Sequence, residues 1–249
     1  MKFIHHPIII FLTALSLTHA HPSVAQNVTI SGNEPDYAGR VLTFYSIDNY
    51  FCNGEIKLGE YTVAADGRFT ASFPCQNVRL VYIYLGIFKV RFYVEPEFSY
   101  EVKLPPRFDK SPEEAESPFF EEVTVLMYFL SVKDDKGQNV PVDRELNFLI
   151  AKFDETFNPL YDSLSMDAIM RRPVALRDST IRSFRENLPH TGNHYFDQYA
   201  FYRSGLLFYA AQRNGTKYIS NAYFAHKSLL YNNEAYMELF NTTYDKYFM

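Results

Sequence analysis

The sequence has no tryptophan, only two cysteines and seven histidines, and it lacks the short motifs that most often mark an active site. There is no Gly-rich phosphate loop, no G-x-S-x-G nucleophile elbow and no C-x-x-C pair. Cys52 and Cys75 lack redox spacing, so we do not expect this chain to exchange disulfides. We therefore predict a protein that is not an enzyme and that has neither catalytic nor cofactor-binding residues.

Histidine spacing does not predict a metal site either. His190 and His194 have the i, i+4 spacing of a helical ligand pair. Pro189 and Gly192 place them instead in a loop that starts a helix, and no acidic third ligand lies at a recognised spacing. We expect no bound metal and no cofactor.

The chain also lacks an excess of positive charge. Without residues 1–25 it carries 23 basic and 29 acidic side chains, a net charge of −6. This mild acidity argues against binding to nucleic acid or to anionic membranes. No apolar run after the N-terminus approaches the ~18 residues that cross a bilayer, so the mature chain is not expected to span a membrane.

An apolar run does occur at the N-terminus, where it predicts a secretory signal peptide. Lys2 precedes the apolar run Ile8–Leu17, and the small residues Ser23-Val24-Ala25 form a cleavage site before Gln26. Thr18-His19-Ala20 is a second such site. We expect an exported protein, periplasmic or secreted, that is soluble once residues 1–25 are removed.

Alternating apolar and polar residues predict strands over residues 26–133. Asp66-Gly67 lies between two such runs and is a strong signal for a two-residue hairpin, because both positions accept positive φ. Residues 92–106, FYVEPEFSYEVKLPP, read as a further hairpin with Pro96 in its turn. About seven short strands with turns between them predict an antiparallel β-sandwich.

The apolar spacing becomes helical after Asp143, which we expect to cap the first helix. Asn158-Pro159 either interrupts that helix or lies in the first turn of a continuing one. The fold class is therefore predicted to be α+β, a sandwich followed by a small all-helical region. The predicted organisation is a signal peptide (1–25), a β-sandwich domain (26–133), a linker (134–142) and a helical domain (143–249).

Export makes a disulfide between Cys52 and Cys75 chemically allowed. If Asp66-Gly67 is a two-residue loop, Cys75 faces Leu58, and Cys52 lies about 20 Å further along an extended strand. A bond then requires the chain to fold back near Asn53. Bonded and free thiols both remain open, and a structural role is favoured over a catalytic one.

Several short motifs carry a resemblance to a known family. They are Ile30-Ser31-Gly32, Gly39-Arg40-Val41-Leu42, Asp66-Gly67-Arg68-Phe69, Tyr93-Val94-Glu95-Pro96, Tyr100-Glu101-Val102-Lys103-Leu104-Pro105, Glu145-Leu146-Asn147-Phe148-Leu149-Ile150 and Tyr236-Met237-Glu238-Leu239-Phe240. In this order they resemble the N-terminal region of bacterial envelope thioredoxin-like proteins of the TlpA type. That region carries a β-sandwich and then a helical segment, followed in the family by a redoxin domain. The family has glycine after the proline of the fourth motif, whereas Glu97 here favours a type I turn over type II.

The last predicted helix carries an aromatic stripe of Tyr236, Phe240, Tyr244 and Phe248. One interpretation is that this stripe packs on the preceding long helix. The other is that it is an interaction face covered by a downstream domain, a second copy or a partner protein.

Two hypotheses of function follow. The first is an exported, non-catalytic envelope module for protein interaction. The alternative is the N-terminal fragment of a thiol–disulfide oxidoreductase-like protein whose redoxin domain is missing from this chain. Glycan binding on tyrosine platforms is a third, disfavoured by the lack of tryptophan.

Overall fold

The computed structural model describes residues 26–211 and 215–248, with side chains as far as residue 245. The predicted signal peptide lies outside the described residues. Within them the chain forms nine strands: β1 (Asn27–Asn33), β2 (Val41–Asn49), β3 (Gly54–Thr62), β4 (Arg68–Pro74), β5 (Arg79–Leu85), β6 (Phe88–Val94), β7 (Ser99–Lys103), β8 (Val123–Leu126) and β9 (Tyr128–Lys133).

These strands form two sheets, with the orders β4-β1-β7-β9 and β3-β2-β5-β6-β8. The prediction of an α+β fold is confirmed, but the sheets are mixed rather than antiparallel. β1 pairs with β7 in parallel, and β6 pairs with β8 in parallel. Parallel partners cannot be joined by a tight turn. The segment that joins the two strands of each parallel pair therefore contains at least one strand of the other sheet.

The Asp66-Gly67 hairpin prediction is wrong. Gly67 has the expected positive φ of 87°, but β3 and β4 belong to different sheets. The turn therefore carries the chain across the sandwich, where β4 pairs with β1 and Phe73 lies opposite Val28. A β-turn reverses the chain in the same way whether the following strand stays in the sheet or crosses to the facing one.

The stretch 92–106 is also a crossing between sheets and not a hairpin, since β6 and β7 lie in different sheets. Its turn differs from the prediction as well. Glu97 has φ of +66°, and the Phe98 N–H donates to the Glu95 carbonyl at 3.3 Å. A positive φ at the third residue is typical of type II and excludes type I. The alternating run around Gly86 is instead a true hairpin, in which β5 and β6 pair antiparallel.

The two cysteines are free thiols in the structure, so the disulfide is not formed. Cys52 is exposed in the turn between β2 and β3, and Cys75 is buried just after β4. Because β4 leaves the sheet of β3, the register that placed Cys75 opposite Leu58 does not exist. The Cys75 thiol donates instead to the Asn77 carbonyl at 3.1 Å.

Helices follow the strands, after one short helix between β7 and β8. In the described residues they are α1 (Pro112–Glu116), α2 (Leu146–Ile169), α3 (Val174–Glu186), α4 (His194–Gly205), α5 (Leu207–Ala210), α6 (Thr216–Ile219) and α7 (Glu234–Phe248). None of them is both long and apolar enough to cross a bilayer.

The longest helix, α2, continues through Pro159. Proline removes one backbone hydrogen bond there, but buried Phe153, Phe157 and Leu164 hold both halves of the helix to the core. Asp143 is not the cap, since it lies in a 3₁₀ turn. The Glu145 carboxylate instead accepts the Phe148 N–H at 2.8 Å.

Two apolar cores divide the molecule. One fills the space between the sheets, where Phe44 of β2 meets Phe73 of β4 with ring centroids 5.8 Å apart. The other lies among the helices and includes Leu80 and Tyr93 from the outer face of the five-stranded sheet. The helices therefore pack on that sheet. The domain boundary at 134–142 remains a prediction.

Candidate binding cleft

A cleft of about 1160 Å³ opens between the strands β8 and β9 and the helix α2. β8 is the edge strand of one sheet and β9 the edge strand of the other. Met127 is the only residue between them. The chain therefore passes from one sheet to the other at this point, and it forms one wall of the cleft as it does so.

This wall is apolar on both of its faces. Met127 is buried and Phe129 packs on Phe92, with ring centroids 6.1 Å apart. The alternate residues Leu126, Tyr128 and Leu130 also line the cleft, and their exposed fractions are 66%, 64% and 55%. Three large apolar side chains thus stand in a row in contact with solvent.

The facing wall is one side of α2. Phe148, Ala151, Glu155 and Pro159 line the cleft and follow the spacing of three and four residues that defines one helix face. Phe148, which is 40% exposed, supplies an apolar surface opposite the strand wall. The two walls differ in that the helix also presents a carboxylate, Glu155.

Asn147 fixes α2 to the sheet. β8 ends at Leu126, and the edge of β6 at Tyr93 is then without a neighbouring strand. The Asn147 amide takes that place: its Oδ1 accepts the Tyr93 N–H at 2.6 Å, and its Nδ2 donates to the Tyr93 carbonyl at 2.9 Å. These two bonds satisfy backbone groups that would otherwise be buried without partners.

Charged side chains form the floor of the cleft. The Nη2 of Arg91, on β6, donates to both carboxylate oxygens of Glu234, on α7, at 3.0 and 2.8 Å. The Tyr93 hydroxyl donates to the same carboxylate. Hydrogen bonds between ionised groups are stronger than those between neutral groups. The contact of Arg91 with Glu234 ties the start of α7 to the sheet.

A second group surrounds Arg203 of α4. Its guanidinium donates to Glu238 and, at 3.3 Å, to the Asn158 side chain. The Asp154 carboxylate accepts the Tyr199 hydroxyl at 2.9 Å and lies 3.7 Å from the Arg203 Nε. Burial raises the pKa of both Asp154 and Glu238, although Arg203 acts in the opposite direction.

Most of the predicted interaction face packs within the helical region. Tyr236 is 2% exposed and meets Tyr202 of α4 at 4.8 Å between ring centroids. Phe224, which the sequence did not single out, packs on Tyr236, Phe240 and Tyr244, with ring centroids 5.2, 5.5 and 5.8 Å away. The Phe248 side chain lies outside the described residues.

The other candidate residues do not form a site together. His194 begins α4 and contacts Gln198 with its Nε2, and His190 lies in the preceding loop. No group of three or more histidine, cysteine or acidic side chains in the described ranges is placed to hold a metal ion. Cys75 is buried and its pKa is raised by that burial to about 11.

Sequence reasoning missed the cleft, but one signal for its strand wall was present. In the run 121–132 both alternating positions carry large apolar residues, Leu126, Tyr128 and Leu130 on one side and Met127 and Phe129 on the other. A strand of this kind needs cover on both faces. The charged floor had no such signal, since Arg91 and Glu234 are 143 residues apart.

Comparison of the chain with protein-family models, with curated proteins and with solved structures finds no match in any of the three.

Proposed function

We propose that this chain is an exported, non-catalytic module that binds an extended, apolar segment of a partner protein in the cleft between β9 and α2. The observation that carries the proposal is the row of Leu126, Tyr128 and Leu130, which stands exposed opposite Phe148. Covering each of these large side chains would gain about 2 kcal/mol of apolar burial. Contiguous exposed apolar surface of this kind is characteristic of interaction sites.

An extended segment fits the cleft better than a helix does. β8 and β9 are edge strands, and an added strand can pair with the backbone of such an edge. Side chains of the added strand would then alternate between the two sides with a period of two. Those on one side of a strand added to β9 would meet Tyr128 and Leu130, which follow that same period.

Export and the absence of catalysis are parts of the same proposal. Residues 1–25 support export, as does the resemblance to the N-terminal region of TlpA-type proteins, a relationship that itself remains a hypothesis. The buried Cys75, whose pKa is about 11, is protonated at neutral pH and so is a poor nucleophile. Sequencing the N-terminus of exported protein should give Gln26. An intact Met1 would contradict export by this signal.

Selection from a library of random displayed peptides on the purified protein tests the binding site. We expect enrichment of peptides with alternating apolar residues. The double variant Leu126→Ser/Leu130→Ser should lose this enrichment. Ile169→Ser is the matched control, because Ile169 is also 66% exposed but lies at the far end of α2.

Circular dichroism and thermal unfolding of each variant show whether it is folded. If the double variant enriches the same peptides as the parent protein, or if no peptide is enriched on the parent protein, the cleft is not the site that we propose.

A further inference from the structure

The lining of the cleft is strongly unbalanced in charge. Its carboxylates outnumber its guanidinium groups by five to two, a net charge of −3 when all are ionised. The acidic residues are Glu145, Asp154, Glu155, Glu234 and Glu238, and the basic ones are Arg91 and Arg203.

Both arginines are already held by partners within the chain. Arg91 is occupied by Glu234, and Arg203 contacts Glu238 and Asn158. They are therefore not free to receive an acidic ligand, and the excess negative charge remains. Glu155, one turn before Asn158 on the cleft face of α2, is exposed and has no partner among the described side chains.

Four of the five carboxylates lie towards one end of the cleft: Asp154 and Glu238 contact Arg203, Glu234 contacts Arg91, and Glu155 follows Asp154. Glu145 lies beside Val142 at the other end, where its carboxylate accepts the Phe148 N–H. Arg91 lies opposite Leu126 in the pairing of β6 with β8, so Glu234 lies near the β8 end of the strand wall. The other end is lined by Val132, Val140 and Val142. A bound segment would therefore meet apolar surface along most of its length and most of the carboxylates at one end.

Asp154 and Glu238 are the two carboxylates nearest Arg203. The charge of this arginine does not fully offset the effect of burial on their pKa values. The pKa of Asp154 and that of Glu238 stay above their usual values, with burial as the largest cause. A second cation at this end would favour their ionised forms. An acidic segment would instead add repulsion.

We propose that the segment bound in the cleft carries a lysine or arginine beside its apolar residues, and that Glu155, Asp154 and Glu238 receive this basic side chain. The inference rests on the proposed function, since it names the chemistry of the segment that the same cleft binds. Charge complementarity of this kind selects among partners that are equally apolar.

The peptides selected on the purified protein give the first measurement. We expect lysine and arginine to be enriched at one end of the selected apolar pattern, and aspartate and glutamate to be depleted. A selected peptide is then synthesised with its basic residue replaced by norleucine, which keeps the methylene chain and removes the charge. Fluorescence anisotropy should show affinity lower by about fivefold to tenfold, because a partly buried ion pair contributes roughly that factor.

The variants Glu155→Gln and Glu155→Gln/Glu238→Gln test which groups hold the charge. The ratio of the two peptide affinities should fall stepwise towards one in the single and double variants. It should remain unchanged in Glu116→Gln, an exposed carboxylate on α1 that does not line the cleft. Raising the salt concentration should reduce the same ratio in the parent protein, because ions screen the charge pair.

The outcomes separate the two proposals. Selected peptides that are apolar but show no basic preference would overturn the inference and leave the proposed function standing. A norleucine peptide that binds as tightly as its parent would do the same, as would an affinity ratio unchanged by the double variant. Failure to select any peptide would overturn both.

Discussion

The variant Glu95→Gln should be more stable than the parent protein at pH 8 and should differ little from it at pH 4.5. Glu95 directly follows the end of β6, and the first residues of α2 and α4 lie close to it. The Asn193 amide, at the N-terminus of α4, donates to its carboxylate at 3.1 Å. Burial above all, and then the like charge of Glu145, raise the pKa of Glu95 to about 7.

The magnitude follows from linkage between ionisation and folding. Below pH 4.5, the ordinary value for this carboxyl, the group is protonated in both the folded and the unfolded chain. Between pH 4.5 and 7 the unfolded chain loses this proton and the folded chain keeps it, so the free energy of unfolding falls as pH rises. The loss is complete above pH 7 and amounts to about 3 kcal/mol, at 1.4 kcal/mol for each pKa unit.

Glutamine keeps an oxygen that can accept the Asn193 hydrogen bond, and it cannot ionise. The free energy of unfolding should therefore be measured in urea at pH 4.5, 6, 7 and 8. Its value for Glu95→Gln should exceed that for the parent protein by an amount that grows from pH 4.5 to pH 8. Burial raises the pKa of Asp154 and Glu238 as well, so the comparison uses the difference between two proteins and not the slope of either alone. Glu101→Gln, at an exposed position of β7, is the control and should give no such difference. The reasoning would be refuted if the free energy of unfolding changed with pH equally in the parent protein and in Glu95→Gln, or if Glu95→Gln were the less stable protein at pH 8.

Three further predictions concern stability and thiol access. Gly86→Ala should cost more than about 3 kcal/mol of unfolding free energy in urea titration, because a Cβ there would lie 1.9 Å from a backbone oxygen of a neighbouring loop. Gly137→Ala, with a similar φ of 74° but no atom within 4 Å, should cost only about 1 kcal/mol; equal losses would show that φ alone matters. A thiol reagent at pH 7.5 should modify exposed Cys52 quickly and buried Cys75 only after unfolding, and failure of both to react in denaturant would reveal a disulfide. Tyr236→Ala should lower the unfolding free energy by about 4 kcal/mol because the ring is fully buried. A loss below about 1 kcal/mol would instead support the interpretation that the aromatic stripe is exposed.

Local patterns were sufficient to predict the class and order of the elements. Alternation predicted strands over residues 26–133, and helical spacing predicted helices after Asp143. Two of those helices begin at asparagines, Asn193 and Asn233, whose side chains accept the Phe196 and Tyr236 N–H groups. These features depend on residues within a few positions of one another, so the sequence alone carries their physical cause.

Pairing between distant strands could not be predicted in the same way. A positive φ at Gly67 is required for a hairpin and equally for a crossing between sheets. Whether β4 stays beside β3 depends on β1 offering a better partner, at a register that pairs Val28 with Phe73, 45 residues away. The cleft has the same origin, since its floor needs Arg91 beside Glu234. Nothing near either residue marks the other as its partner.

The repeated crossing between sheets has a consequence for the kinetics of folding. The five-stranded sheet is complete only when the chain has reached Leu126, and the four-stranded sheet only at Lys133. β1 lacks its parallel neighbour β7 until the chain has reached Lys103, and β6 lacks β8 until Leu126, so neither sheet can be completed early. A chain made from its N-terminus therefore cannot complete either sheet until more than one hundred residues have been made. Folding should then occur late, in a single slow step dominated by distant contacts.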